Sequence, residues 1–255
     1  MPKIKNAALA LAIPFIIIAA WEFAVQTGIF PKSLIASPLQ VAINFAHLFA
    51  NGTLLHHALA SFARLIPGFV IGSLIGLFFG ILVGLSKKAE KILAPTFSFI
   101  VPIPPAVWIP VLIILLGIGD ASKIGLIALG TALIVYASTL AGIRQTDKKL
   151  VELAQVFKKN NFQLVTKILL PSATPQIFAG LRAALCLSWI LLIAAEIIAA
   201  SKGLGWFIWD ARNFSRPADM LAGIIAIGIL GKATDKALEL CQKHLTKWSS
   251  TFTGK

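Results

Sequence analysis

Residues 68–84 read GFVIGSLIGLFFGILVG, and the fold turns on what this stretch is. It carries no charge, and with its flanks the apolar run reaches from Leu65 to Leu85. A helix needs about 20 mostly apolar residues to cross the hydrocarbon core of a bilayer, and this run supplies them. Gly68, Gly72, Gly76, Gly80 and Gly84 fall at every fourth position. On a helix they form a smooth seam along one side, where a neighbouring backbone can approach closely. The seam marks tight packing, against a helix of the same chain or against a second subunit, and is silent about any substrate.

The rest of the 255-residue chain agrees with that reading. Hydrophobic residues make up 58% and charged residues 13%, with a mean hydropathy of +0.87. Soluble domains are about 45–50% apolar and about 25% charged, so lipid is the solvent this surface fits. The net charge of +13 does not point to nucleic acid, because the basic residues sit in short clusters between apolar runs and form no stripe on a polar domain. The two cysteines, Cys186 and Cys241, have no metal-ligand spacing, and neither a metal site nor a disulfide framework is indicated.

Six segments qualify as spans: Ala7 to Val25, Leu65 to Leu85, Ile92 to Leu116, Ile124 to Ile143, Ile177 to Ala200 and Leu221 to Leu240. The basic start at Lys3 and Lys5 resembles a signal peptide, but the apolar run continues past Ala20 into Trp21, so an uncleaved first membrane helix is expected. With the N-terminus inside, 17 Lys and Arg residues fall on the inner side and 6 on the outer, which places both termini in the cytoplasm. The expected fold is an all-α membrane protein, a polytopic bundle of about six transmembrane helices. Residues 1–61 hold the first helix and an outer loop, 62–248 the core transmembrane domain, and 249–255 a cytoplasmic tail.

Local signals refine this picture. Ser37-Pro38 predicts a helix start, with serine as N-cap and proline in the first turn. Val41, Phe45, Leu48 and Phe49 then recur at helical spacing, as expected of a short helix on the outer surface. VPIPPAVWIP, with Pro102, Pro104, Pro105 and Pro110, rules out an uninterrupted third helix. It leaves either a structural kink or a broken segment beside a translocation path. Thr131, Ser138 and Gly142 lie close to one face of the fourth span and should point into the bundle, for packing or for pore lining. Thr131, Ser138, Ser188, Trp189 and Glu196 are the candidate lining of a substrate path. Arg182, Trp189 and Glu196 are spaced by seven along the fifth span. Arg182 is expected to snorkel to the inner interface. Glu196, near the outer end, is expected to pair with Arg64, either as a structural bond or at an outer gate. Gly231-Lys232 hints at a phosphate loop, but Ala226 and Ala233 stand where it needs a glycine and a hydroxyl, so ATP cannot bind there in that way.

The most polar inner segment is ELAQVFKKNNFQLVTKILLP, residues 152–171. Leu150, Leu153 and Phe157 form one apolar face, with Glu152, Gln155 and Lys159 opposite, which predicts a short amphipathic helix. Asn160-Asn161 interrupts it, and Pro171 and Pro175 punctuate the return into the membrane. By pattern alone such a helix rests on lipid or docks in a partner's groove.

This segment resembles the cytoplasmic signature of the permease subunits of binding-protein-dependent ABC importers: Glu-Ala-Ala, three residues, Gly, nine residues, then Ile-x-Leu-Pro. Glu152, Ala154, Ile168, Leu170 and Pro171 fall on its positions, while Leu153 and Lys158 depart from it. Ser37-Pro38, HALASFARLIPGF (57–69), VPIPPAVWIP, GIGDASK (117–123), AAE ending at Glu196 and KGLGW (202–206) are similar to the nitrate, sulfonate, taurine and bicarbonate branch of that family. The resemblance implies a type I importer fold with a coupling segment at 148–171. It implies ATPase contacts at Glu152, Leu153, Ala154, Phe157, Lys158 and Asn160, and a turn displaced from Lys158 to the asparagine pair. It further implies a permease homodimer, cytoplasmic ABC ATPase subunits that carry ATP and Mg, an outer solute-binding protein, and a place in the bacterial inner membrane. No cofactor is expected in this chain, and no catalytic set is found. The competing reading is an ion-gradient-driven transporter, which wants intramembrane acids and finds only Glu22 and Glu196.

Overall fold

The computed structural model describes residues 2–31, 34–147, 149 and 160–245, with side chains from Ala12 onward except at 161 and 162. Among the described residues every regular element is helical. In chain order these are α1 (Pro2–Gln26), α2 (Pro38–Ala50), α3 (Thr53–Leu85), α4 (Lys87–Ile100), a 3-10 turn (Pro105–Trp108), α5 (Ile109–Leu116), α6 (Asp120–Arg144), α7 (Asn161–Leu164), a π turn (Val165–Leu169), α8 (Leu170–Ala199), α9 (Leu204–Asn213) and α10 (Pro217–Leu245).

Four described stretches are long and apolar enough to cross a bilayer: Thr53–Leu85, Asp120–Arg144, Val165–Ala199 and Pro217–Leu245. The third expected span is not one helix. α4 and the Pro105–Leu116 stretch are bent by 89°, because Pro102 and Pro104 occupy the link, Pro105 opens the 3-10 turn and Pro110 sits in the first turn of α5. A proline can begin a helix but cannot donate inside one. The first expected span lies within α1, whose described apolar stretch is the shorter Ala12–Gln26.

The chain divides into two compact units, one of residues 1–61 and 201–229, the other of residues 62–200 and 230–255. In the first, Ser37 Oγ accepts from Gln40 N (3.4 Å) while Gln40 returns a bond to Ser37 N, so the expected cap is a full capping box. Glu22 Oε2 accepts from Leu39 N at 3.1 Å and ties α1 to α2. Val41 and Leu48 are buried, whereas Phe49 is 67% exposed, since only part of the apolar face meets protein. The loop expected before the second span is shorter than its sequence reading. Gly52 turns the chain at φ +79°, Asn51 Oδ1 accepts from Thr53 N, and α3 starts at Thr53, well before Leu65.

α9 starts at Gly203, which has no side chain to cap it. Two side chains of α3 take over: His57 Nδ1 accepts from Gly203 N (3.2 Å) and Ser61 Oγ from Leu204 N (2.9 Å). These amides would otherwise be orphan donors of a helix end. His57 also stacks on Trp206 with ring centroids 5.5 Å apart. Two stretches quoted separately above, HALASF and KGLGW, are thus halves of one contact.

In the second unit the glycine seam finds its partner within the chain, and that partner is α6. A methyl group added at Gly68 would stand 2.7 Å from Ile127 Cβ, at Gly76 2.6 Å from the Ala132 carbonyl, and at Gly80 2.6 Å from Thr139 Cβ. Two residues further round, 200° away, Ile66, Val70, Leu74 and Phe78 are exposed at 46–62%. α3 is therefore smooth where it meets α6 and apolar where it faces outward, as a lipid-exposed helix must be. α6 in turn packs along α8, with Gly142 against Ala173 and Gly180 against Ser138. Ile143, Ala173 and Ile177 form a core there, joined by Leu77 and Ile81 of α3.

Candidate functional site

One end of the second unit is held by charge. Arg64 on α3 is 3% exposed and donates through Nη1 to Glu196 Oε1 on α8 (2.8 Å) and through Nε to Asp120 Oδ1 on α6 (2.7 Å). Glu196 is fully buried. Lys123, 4% exposed, donates to the Gly119 carbonyl at 2.8 Å and lies 3.8 Å from Asp120. The formal charges of the buried Arg64, Lys123 and Glu196 and the half-exposed Asp120 cancel, which is the condition for holding the first three out of water. Asp120 opens α6, where an acid also meets the positive end of the helix dipole. The Arg64–Glu196 pair was expected from sequence, but Asp120 was not. The Gly-Ile-Gly turn before it, with Gly117 at φ +82°, marked a helix start without naming the third member.

The candidate path residues sit between helices. Thr131 and Ser188, both fully buried, bond to each other across α6 and α8 at 2.9 Å, and Ser188 also donates to Ala184 O. Ser138 lies against Gly180. Trp189 is 6% exposed, donates from Nε1 to Thr234 Oγ1 (3.1 Å) and stands edge-on to Phe62. Arg182 does not simply snorkel. It forms a two-pronged bond to Asp235 on α10, Nε to Oδ1 at 2.8 Å and Nη2 to Oδ2 at 3.0 Å. Asp235, a charge inside the expected last span, holds that arginine, and α10 runs unbroken to Leu245.

At the other end of α6 an open cleft of about 650 Å³ lies between α4 and α6. Tyr136 and Phe97 stack in its wall with centroids 3.8 Å apart, and Arg144 and Gln145 stand at its rim. Arg144 pairs with Glu90, and both remain about half exposed.

Of the expected ATPase contacts, Glu152, Leu153, Ala154, Phe157 and Lys158 lie outside the described residues. Asn160 is described: its Oδ1 accepts from Gln163 N at 2.8 Å and its carbonyl from Leu164 N, so it caps α7. The helix then widens, with Leu170 N bonding to Val165 O in a π step, immediately before Pro171. The proline has no N–H for the Lys167 carbonyl and its ring crowds the preceding turn, and the wider π turn makes room for it.

Residues 72–247 match the family described as binding-protein-dependent transport system inner membrane component, and the chain belongs to it. Over 96% of its length it is 36% identical to a Bacillus subtilis (strain 168) protein named as an aliphatic sulfonates transport permease, SsuC, covering 88% of that protein. It is 31% identical to the Escherichia coli (strain K12) taurine transport system permease protein TauC, covering 97% of this chain and 92% of that one. A chain of the methionine ABC transporter MetNI, solved in an inward-facing form, matches the fold with a TM-score of 0.63 at 19% identity, over 73% of this chain and 93% of that one. The protein is thus the permease component of an ABC importer, a type I fold with several apolar helices in the inner membrane.

Proposed function

We propose that this permease carries small organic anions of the sulfonate class. The observation that carries the reading is the 36% identity along nearly the whole chain to a protein named for aliphatic sulfonate transport. A strain lacking its own sulfonate permease, given this chain together with its partner ATPase and solute-binding protein, is expected to grow on an aliphatic sulfonate as sole sulfur source. Growth on sulfate alone, with no labelled sulfonate taken up, rejects the substrate class.

The working assembly is a permease homodimer with two cytoplasmic ATPases, which hold ATP and Mg, and an outer solute-binding protein. Both termini lie in the cytoplasm, in keeping with the 17 to 6 distribution of basic residues. The gradient-driven alternative has lost its acids: Glu196 is bound to Arg64, and Glu22 to Gln26 and Leu39 N.

The coupling segment, 148–171, is where the ATPase pushes. Glu152→Lys is expected to abolish ATP-driven uptake while leaving membrane insertion intact, because it reverses the charge at the signature position. Uptake at the wild-type rate with equal expression would remove Glu152 from the contact.

A further inference from the structure

The two ion pairs at the two ends of α6 differ in kind. Arg64–Glu196 is sealed, with side chains 3% and 0% exposed. Arg144–Glu90 is open, with side chains 54% and 44% exposed. Each partner is also well placed alone. Glu90 lies in the first turn of α4, whose start is capped by Ser86, and Arg144 in the last turn of α6. An acid at a helix start and a base at a helix end are both favoured by the helix dipole. An exposed pair of this kind adds little stability, so exchanging one anion for another on Arg144 is an inexpensive step.

The cleft beside Arg144 suits what would make that exchange. Its volume, about 650 Å³, falls in the range of small-molecule sites. Its walls are largely apolar, from Ala94, Val101 and Leu140, with Ser98 and Gln145 as polar groups. The guanidinium at its rim presents a planar fork of donors that matches a carboxylate or sulfonate head. One cationic corner and an apolar remainder describe the complement of a short alkyl chain with an anionic end.

We propose that this cleft is a station for cargo on its way through the membrane, with Arg144 binding the anionic head and Glu90 as the side chain it displaces. The assignment rests on the reading of the cargo as an organic anion. A lipid phosphate offers Arg144 similar chemistry, and the test separates the two.

The test is equilibrium binding of labelled methanesulfonate to the permease–ATPase complex in lipid nanodiscs, without the solute-binding protein. Discs are made of phosphatidylcholine alone or with phosphatidylglycerol added, and dimethyl sulfone serves as the neutral probe of similar shape. Methanesulfonate is expected to bind in both discs and dimethyl sulfone in neither. Arg144→Gln should weaken binding by about tenfold or more, and Arg144→Lys by less. Glu90→Gln, which frees Arg144, should tighten it by about threefold. That gain cannot come from damage, so Glu90→Gln decides the matter even if Arg144→Gln fails to assemble. Equal affinity in all variants overturns the proposal. So does weakening by Glu90→Gln, or binding of methanesulfonate abolished by phosphatidylglycerol, which would give the site to lipid. Bicarbonate binding with the same dependence on Arg144 and Glu90, in a chain that does not bind methanesulfonate, keeps the station and rejects only the sulfonate class, which the growth experiment tests separately.

Discussion

Arg64→Gln is expected to prevent the permease from accumulating in folded form, and adding Glu196→Gln is expected to restore much of it. Glu196 is fully buried, and Arg64 is the cation bonded to it at 2.8 Å. Removing one member of a buried pair costs about 3–5 kcal/mol, because the remaining charge stays out of water. Domains are stable by only about 5–15 kcal/mol, so a loss of that size removes much of the margin. Neutralising both members leaves no stranded charge in the interior. Asp120 keeps Lys123 at 3.8 Å and is 56% exposed, so water can serve it. Thermal unfolding of the purified variants and their yield in membranes read the effect. A double variant as damaged as the sum of its singles would show that the charges do not act as a pair.

Gly76→Leu is expected to be as damaging, by a different route. A single added carbon at Gly76 already stands 2.6 Å from the Ala132 carbonyl, 2.8 Å from Val135 Cβ and 2.9 Å from Tyr136 N. Two of those three atoms are backbone and cannot swing aside, so α3 and α6 must part. Overpacking by a few carbons costs about 1–3 kcal/mol where side chains can yield, and more is expected where they cannot. Gly84→Ala is the matched control, because its added carbon meets only the Ile143 side chain, at 3.0–3.3 Å. A drop in melting temperature for Gly76→Leu with little change for Gly84→Ala supports the seam. Equal effects would count against it.

The sequence made some of these features legible and hid others, and the division has a physical cause. A four-residue repeat fixes which side of α3 is smooth, but it does not say that α6 lies there. The prolines of VPIPPAVWIP enforce a break, but not an angle of 89°. Ser37-Pro38 is a purely local device and its cap was read directly, although the part Gln40 plays in the box was not. Arg64 and Glu196 could be matched because both lie at the same expected depth. Asp120 and Asp235 could not, since one looked like part of a loop and the other like the end of a span. Both assignments depended on helix limits that packing extends. Phe49 kept the period of its helix and still faces outward, because periodicity names a face and not how much of it is covered. The proposed coupling segment was read from its motif alone, and of its expected contacts Asn160 is the one among the described residues.

The π turn at Val165–Leu169 has a geometric consequence for that segment. Each residue of an α-helix advances the chain by about 100° around the axis, and a π turn holds one residue more than α geometry would. Deleting a single residue there would restore regular hydrogen bonding. It would also rotate Asn160 and α7 by roughly a quarter of a revolution relative to α8. Angular phase, and not only the chemistry of its side chains, is therefore a property that this short stretch gives the segment that precedes α8.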